Sequence, residues 1–281
     1  MPNAKNIFDD LRQLLANIYE AQEAQAISFL VLEKTLGLKK TDVLIGKKIE
    51  ALPNNWPQIL TDLSKNIPVQ YVLGEADFYG LTFEVNSNVL IPRNETEEMV
   101  EAVLGLAKTM PQPLHILDIG TGSGCIAIAL AKCLKNSNLT AFDISELALK
   151  TAQNNAIKNQ VDVQFEQIDI LLAQDFSQTF DLIVSNPPYI RQSEMAEMAA
   201  HVNDHEPALA LFVPDHDSLI FYKAIAQFCR KNLKSKGHCF VEINEAFGLA
   251  TAQLFDDPHF YNVQIIKDIH QKDRFVKATK I

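Results

Sequence analysis

Apolar residues recur at three- and four-residue intervals through the first part of the chain and in short unbroken runs through the rest, and the two patterns predict different architectures. Ile7, Leu11, Leu14, Leu15 and Ile18 mark one helix. Ile27, Leu30, Val31 and Leu38 mark a second, ended by Gly37. Thr41 and Asp42 offer capping oxygens for a third, and Pro57 with Ile59, Leu60 and Leu63 reads as the opening turns of a fourth. A small helical bundle over residues 1–74 is expected. The period then drops to two. Tyr79, Leu81, Phe83 and Val85 alternate with Gly80, Thr82 and Glu84, and Val89-Leu90-Ile91 comes after the turn residues Asn86-Ser87-Asn88. This predicts a linking β-hairpin over residues 75–92.

Over residues 93–281, apolar runs of strand length alternate with segments of helix length, which calls for a mainly parallel sheet covered on both faces. Strands are predicted at 114–119, 139–144, 161–168, 180–185, 239–243, 263–269 and 275–279. Crossover helices are predicted at 125–134, 146–158 and 219–233. The expected fold class is α/β, with a Rossmann-like domain after the bundle and the hairpin.

Between the first of these strands and its helix stands Asp118-Ile119-Gly120-Thr121-Gly122-Ser123-Gly124. Glycines at that place allow a tight turn and let a ligand approach the backbone, while the helix start offers free N–H groups. A dinucleotide fingerprint would need its third glycine where this chain has Cys125, so a pyrophosphate grip is not indicated. Asp143 ends the next strand, where a carboxylate can accept both hydroxyl protons of a ribose. Asp169 comes after the third strand and is placed for an adenine amino group. Adenosine recognition without a phosphate grip points to S-adenosylmethionine, its amino-acid end lying along Gly120, Thr121, Gly122, Ser123 and Gly124. Read blandly, the loop is only a turn and Asp143 only a helix cap.

The fourth apolar run ends in Asn186-Pro187-Pro188-Tyr189. Two prolines stop a strand and stiffen the chain beyond it, and strand carboxyl ends form the binding crevice of open α/β sheets. An amide nitrogen is a poor nucleophile because its lone pair is delocalised. Accepting both of its N–H hydrogens, at the Asn186 side-chain oxygen and the Pro187 carbonyl, would turn that lone pair toward an electrophilic methyl. Tyr189 would close over the flat acceptor group. A rigid surface turn is the bland alternative.

Composition narrows the partner class. Twenty-five Lys and Arg stand against 35 Asp and Glu, a net charge of −10, which speaks against a partner held by its phosphate backbone. Cys125, Cys133, Cys229 and Cys239 form no Cys-x-x-Cys pair, so neither zinc ribbon nor disulfide scaffold is expected. His201 and His205 lack the glutamate of a metalloprotease helix and an evident third ligand, so no metal is expected. No apolar run reaches the ~18 residues that span a bilayer, and residues 1–6 lack the apolar core of a secretory signal. The expected location is the cytoplasm, with no membrane partner.

Taken in order, several motifs resemble the release-factor glutamine methyltransferase family, the PrmC/HemK group. They are Pro68-Val69-Gln70-Tyr71-Val72-Leu73-Gly74, Leu90-Ile91-Pro92-Arg93-Asn94-Glu95-Thr96-Glu97, the glycine loop, the Val184–Ile190 segment, and Glu206-Pro207 with Ala210-Leu211 downstream. The resemblance spans nearly the whole chain. It implies a seven-stranded class I methyltransferase domain with its last strand antiparallel. The implied reaction is methyl transfer from S-adenosylmethionine to the side-chain nitrogen (N5) of the glutamine in the Gly-Gly-Gln tripeptide of peptide chain release factors, leaving S-adenosylhomocysteine. By the same resemblance Gly120 to Gly124, Asp143, Asp169 and Ile170 hold the cofactor, Asn186 spans both ligands, and Pro187, Pro188 and Tyr189 complete the glutamine pocket. The N-terminal bundle docks on the release factor, a monomer is expected, and nucleic acid is not bound directly. Arg93 organises the pocket in one reading and pairs with Glu97 or Glu98 at a helix start in the other.

The chain departs from the family at Asn94, where proline is common, and at Val213-Pro214-Asp215-His216, where glycines are common. The alternatives are a ribosomal-protein glutamine as acceptor, an exocyclic amine of a nucleic-acid base, and an adaptor that keeps the fold without the chemistry.

Overall fold

The computed structural model describes residues 2–173, 176–198 and 200–281. The chain divides into two compact units, residues 1–75 with 199–205, and residues 76–198 with 206–281. In the first, helices α1 (Ala4–Leu15), α2 (Ala21–Leu36), α3 (Lys40–Leu44), α4 (Trp56–Ser64) and α5 (Val69–Leu73) pack Leu11, Leu15, Val31, Leu32, Trp56 and Leu63 into one apolar core. Their boundaries reflect local chemistry. Asn3 accepts the Asn6 N–H at the start of α1, and Gly37 takes the left-handed φ of 64° that closes α2. Ile18, expected in α1, lies beyond its end.

The second unit opens with a hairpin, β1 (Glu75–Phe78) and β2 (Leu81–Glu84). It is not the hairpin read from the alternation. Tyr79 and Gly80 both have positive φ, 49° and 71°, as a two-residue primed turn requires, so Tyr79 sits in the turn and the partner strand precedes it. Residues 89–91, expected as the second strand, form none. Asn86 folds them into a turn by accepting the Asn88 N–H on its side chain and the Val89 N–H on its carbonyl, and Ile91 N donates to the Glu206 carboxylate. Asn155 clasps the end of β2, accepting Glu84 N at 2.6 Å and donating to Glu84 O at 2.9 Å.

Onward run α6 (Asn94–Ala107), β3 (Leu114–Ile119), α7 (Cys125–Cys133), β4 (Ser137–Asp143), α8 (Glu146–Asn159), β5 (Gln164–Gln167), β6 (Phe180–Ser185) and β7 (Ile190–Arg191). Next come α9 (Ala200–His205), grouped with the first unit, then α10 (Ala208–Leu211), β8 (Phe212–Val213), α11 (Ile220–Asn232), β9 (Leu233–Glu242), α12 (Gly248–Gln253), β10 (Phe260–Lys267) and β11 (Asp273–Lys280). The large sheet has the order β10-β11-β9-β6-β3-β4-β5, parallel except that β11 runs antiparallel to both neighbours. The third run, read as 161–168, is a strand only over β5.

Successive strand residues feed opposite faces. Ile116, Leu182 and Phe240 pack with α6 and α7, while Leu117, Ile183 and Val241 pack with Tyr222, Ile225 and Phe228 of α11. A sheet buried on both faces explains why its strands read as unbroken apolar runs. The connection from β3 goes to β4 on one side, whereas β6 returns on the other. The carboxyl ends of β3 and β6 therefore flank the switch point where such sheets bind ligands. Among the described residues no helix is long and apolar enough to cross a membrane.

Candidate active site

The carboxyl ends of β3, β4 and β6 open onto a cavity of about 280 Å³. Its lining includes Gly120, Gly122, Asp143, Asp169, Ile170, Asn186, Pro187 and Pro188. Thr121, Ser123, Gly124, Tyr189 and Arg93, which the sequence also singles out, do not line it.

The glycine loop is shaped from within. Gly120 N and Thr121 N both donate to Phe142 O, at 2.8 and 2.9 Å, which ties the loop to the end of β4. Gly124 starts α7 with φ 82°, and a Cβ there would stand 2.9 Å from Ile128 Cδ1 and 3.1 Å from Ala152 Cβ. Only glycine meets both conditions. Thr121 and Ser123 face inward. The Thr121 hydroxyl donates to Asp118 Oδ2 at 2.7 Å, and Ser123 O accepts from Asn155 Nδ2 at 2.9 Å. Asp118 is buried, and loss of solvation pushes its carboxyl up to about 7 despite the hydrogen bonds from Thr121 and Ala127.

Asp143 accepts Gly122 N on Oδ2 at 2.8 Å and Ser145 N on Oδ1 at 2.9 Å. Burial raises its pKa against these bonds. A carboxylate offers about four acceptor positions, so acceptor capacity remains for a ligand hydroxyl. Asp169 accepts Leu171 N at 2.9 Å, an arrangement that turns residues 169–171 along the cavity. A half-buried carboxylate with acceptor capacity, an apolar wall and a turn presenting Gly120 and Gly122 suit a nucleoside carrying a polar tail, and among the described residues no cluster of basic groups lines the cavity for a pyrophosphate.

The opposite wall is assembled from distant segments. Asn186 Nδ2 donates to Thr96 Oγ1 at 3.1 Å, and the Thr96 hydroxyl donates to Glu242 Oε2 at 2.7 Å. The Tyr189 hydroxyl donates to Glu242 Oε1 at 3.4 Å. Burial pushes Glu242 up to about 7 and raises Tyr189 as well. Arg93 is paired, but not as expected. Its Nη2 reaches Glu206 Oε1 at 2.7 Å, Glu97 instead accepts Tyr79 N, and Glu98 accepts Ile269 N. Glu206 thus clamps the Ile91-Pro92-Arg93 segment through Ile91 N and Arg93 together.

Both departures from the family pattern are accommodated. Asn94 is the first residue of α6, the position where proline is also favoured. Val213 pairs with Arg191 in a short parallel ladder, and Asp215 accepts Ser193 N and Oγ at 2.9 and 2.8 Å, holding the segment just beyond the motif. Sequence reading misses Thr96, Glu206, Glu242, Asp118 and Asn155 as site residues. A signal exists for Glu242, a lone carboxylate inside the apolar run Phe240-Val241-Glu242-Ile243. For Thr96 the signal is its place in the Leu90-to-Glu97 motif, which does not announce its partners 90 and 146 residues away.

Comparison with known proteins identifies the family. The methyltransferase small domain family matches residues 101–205. A solved 16S rRNA N2 G1207 methyltransferase from Thermus thermophilus superposes with a TM-score of 0.52 at 16% identity, covering 74% of this chain and 50% of that one, which establishes a shared fold. The release factor glutamine methyltransferase of Bacteroides thetaiotaomicron is 42% identical over 96% of this chain and 98% of its own. That of Flavobacterium psychrophilum is 44% identical over 98% of both chains. With identity of that order over nearly its full length, and with the motif residues gathered at one switch point, the chain belongs to the release factor glutamine methyltransferase family.

Proposed function

We propose that this protein transfers a methyl group from S-adenosylmethionine to the side-chain amide nitrogen of the glutamine in the Gly-Gly-Gln motif of peptide chain release factors. The observation that carries the reading is one cavity lined both by the glycine loop with Asp143 and by Asn186-Pro187-Pro188. The cofactor, when bound, supplies a methyl made electrophilic by its sulfonium, and S-adenosylhomocysteine is the product.

Gly120, Gly122, Asp143, Asp169 and Ile170 bind the cofactor, with Thr121, Ser123 and Gly124 shaping the loop that receives it. Asp143 takes ribose hydroxyls on the acceptor positions its two N–H donors leave open. Asn186 and Pro187 are the catalytic acceptors. The Asn186 side-chain oxygen and the Pro187 carbonyl take the two hydrogens of the glutamine amide, which frees the lone pair and aims it. No side chain acts as a base before attack, because the amide nitrogen becomes acidic only as its new bond forms, and the proton it then sheds passes to water. Orientation is the main contribution, worth up to ~7–11 kcal/mol in well-placed systems. Pro188 stiffens the corner. Tyr189, outside the cavity lining, is tethered to Glu242 and braces the end of the corner, and Arg93, held by Glu206, organises the segment beside it.

The helical unit at the N-terminus docks the release factor. The enzyme works as a cytoplasmic monomer, without a membrane or nucleic-acid partner, in keeping with its net charge of −10. Incubation with labelled cofactor, a release factor, and the same factor with its motif glutamine replaced tests the reading. Label on the intact factor alone is expected. Label that persists on the replaced factor, or appears only on a ribosomal protein or RNA, would overturn the substrate assignment.

A further inference from the structure

An asparagine can present either its oxygen or its NH2 to a ligand, and the two ends have nearly the same shape. Only the oxygen can accept an N–H from a substrate amide; a flipped Asn186 would set NH2 against NH2. The interior of the protein supplies the means of choosing between them. Asn186 Nδ2 lies 3.1 Å from Thr96 Oγ1, which lies 2.7 Å from Glu242 Oε2. A hydroxyl has one proton, and an ionised carboxylate can only accept. The Thr96 proton is therefore committed to Glu242, and Thr96 Oγ1 is left as an acceptor toward Asn186, a polarity that selects the NH2 end of the amide. Thr96 is 2% and Glu242 1% exposed, so water does not compete for either. Glu242 also takes the Tyr189 hydroxyl on its other oxygen and is fixed at its backbone, where Glu242 O accepts from the Tyr222 hydroxyl at 3.2 Å. One buried carboxylate thereby governs the first and last residues of the Asn-Pro-Pro-Tyr corner.

We propose that Thr96 and Glu242 are positioning residues for the methyl transfer, forming a one-way hydrogen-bond relay that holds the Asn186 amide with its oxygen toward the acceptor. The proposal rests on the glutamine-methylating reading above. Neither residue lines the cavity, so neither is a catalytic residue; both act through Asn186. In their absence nothing holds the NH2 end inward, and an amide turned with its NH2 toward the acceptor, or swung off line with its oxygen unanchored, cannot receive the substrate.

The test compares full-length wild type with Thr96→Val, Thr96→Ala and Thr96→Ser at about pH 8, where Glu242, pushed up to about 7, is mostly ionised. Turnover of the release factor and its KM are measured beside cofactor affinity by calorimetry. Valine keeps the shape of threonine and removes the hydroxyl; alanine removes it without added bulk; serine keeps it. The proposal predicts kcat lower by roughly 10- to 100-fold in the valine and alanine variants, the loss expected for one misplaced hydrogen bond at a buried site. KM and cofactor affinity should stay within about threefold, and serine should recover turnover to within about threefold of wild type. Wild-type kcat in either hydroxyl-free variant would overturn it, as would a serine variant as slow as valine, or a loss of cofactor binding that parallels the loss of turnover. If the wild type methylates no release factor, the functional reading falls and takes this proposal with it; the other failures touch the relay alone.

Discussion

The two walls of the cavity are built by opposite strategies. On the glycine-loop side the bonds are shorter in range: Thr121 to Asp118 spans three residues, Ser145 to Asp143 two, Gly122 to Asp143 twenty-one, and Ser123 to Asn155 thirty-two. On the Asn186 side they are long-range, with Asn186 to Thr96 spanning 90 residues, Arg93 to Glu206 113, and Thr96 to Glu242 146. A wall closed within β3, α7, β4 and α8 forms once that contiguous stretch has paired. A wall closed by distant partners forms only when the whole sheet is in register. The first suits a cofactor whose identity never varies; the second fixes a corner whose geometry decides reactivity.

That contrast gives separable expectations. The largest effect should come from Asn186→Ala, which removes an amide acceptor. Turnover should fall by roughly 10³-fold, in the range seen for lost oriented donors at reacting atoms, with cofactor affinity changed only a few fold. Stopped-time methylation assays and calorimetry check both halves, and a parallel loss of affinity would erase the division between the walls. Asp143→Ala should do the reverse, weakening cofactor binding by about 1–3 kcal/mol through lost ribose hydrogen bonds and a loosened Gly122. Competition with S-adenosylhomocysteine reads that change directly.

Glu206→Ala should lower folding stability by about 1–3 kcal/mol, since it strands Ile91 N and leaves Arg93 without its partner. Denaturant titration measures it, and an unchanged midpoint would show that the long-range clamp is ornamental. The last expectation, read as a slope rather than a step, is a pH dependence from the buried carboxylates behind both walls. Burial raises Asp118 from 3.8 and Glu242 from 4.5, each to about 7 in the folded chain. Because the folded values exceed the unfolded ones, the stability these groups contribute is fully present below about pH 4 and is lost as pH rises through about 7. Asp118→Asn should flatten part of that decline in denaturation series at fixed ionic strength.

The same contrast explains what the sequence makes legible. Gly120 to Gly124, Asp143 and Asn186 can be found because each sits at a strand end announced by an apolar run and a breaker. The parallel strands are legible because burial on both faces leaves them apolar throughout, as in Ile116-Leu117 and Leu182-Ile183. The hairpin is misread because Tyr79 continues the alternation into what is a positive-φ turn, and side-chain pattern does not report backbone sign. Arg93 is matched to the wrong carboxylate for a related reason. Glu97 and Glu98 are near in sequence, but tertiary packing commits them to Tyr79 N and Ile269 N. Thr96 stands in a quoted motif, but its role is not legible, since a single hydroxyl on a helix carries no periodic signature of its partners.

The central claim is that the Asn186-Pro187 corner accepts both hydrogens of a glutamine amide beside the cofactor. A crystal structure with S-adenosylhomocysteine and a Gly-Gly-Gln peptide tests it most directly. The account predicts the glutamine nitrogen at roughly 2.7–3.2 Å from both Asn186 Oδ1 and Pro187 O. A peptide bound with that amide turned away from the corner, or with Asn186 presenting its NH2, would contradict it.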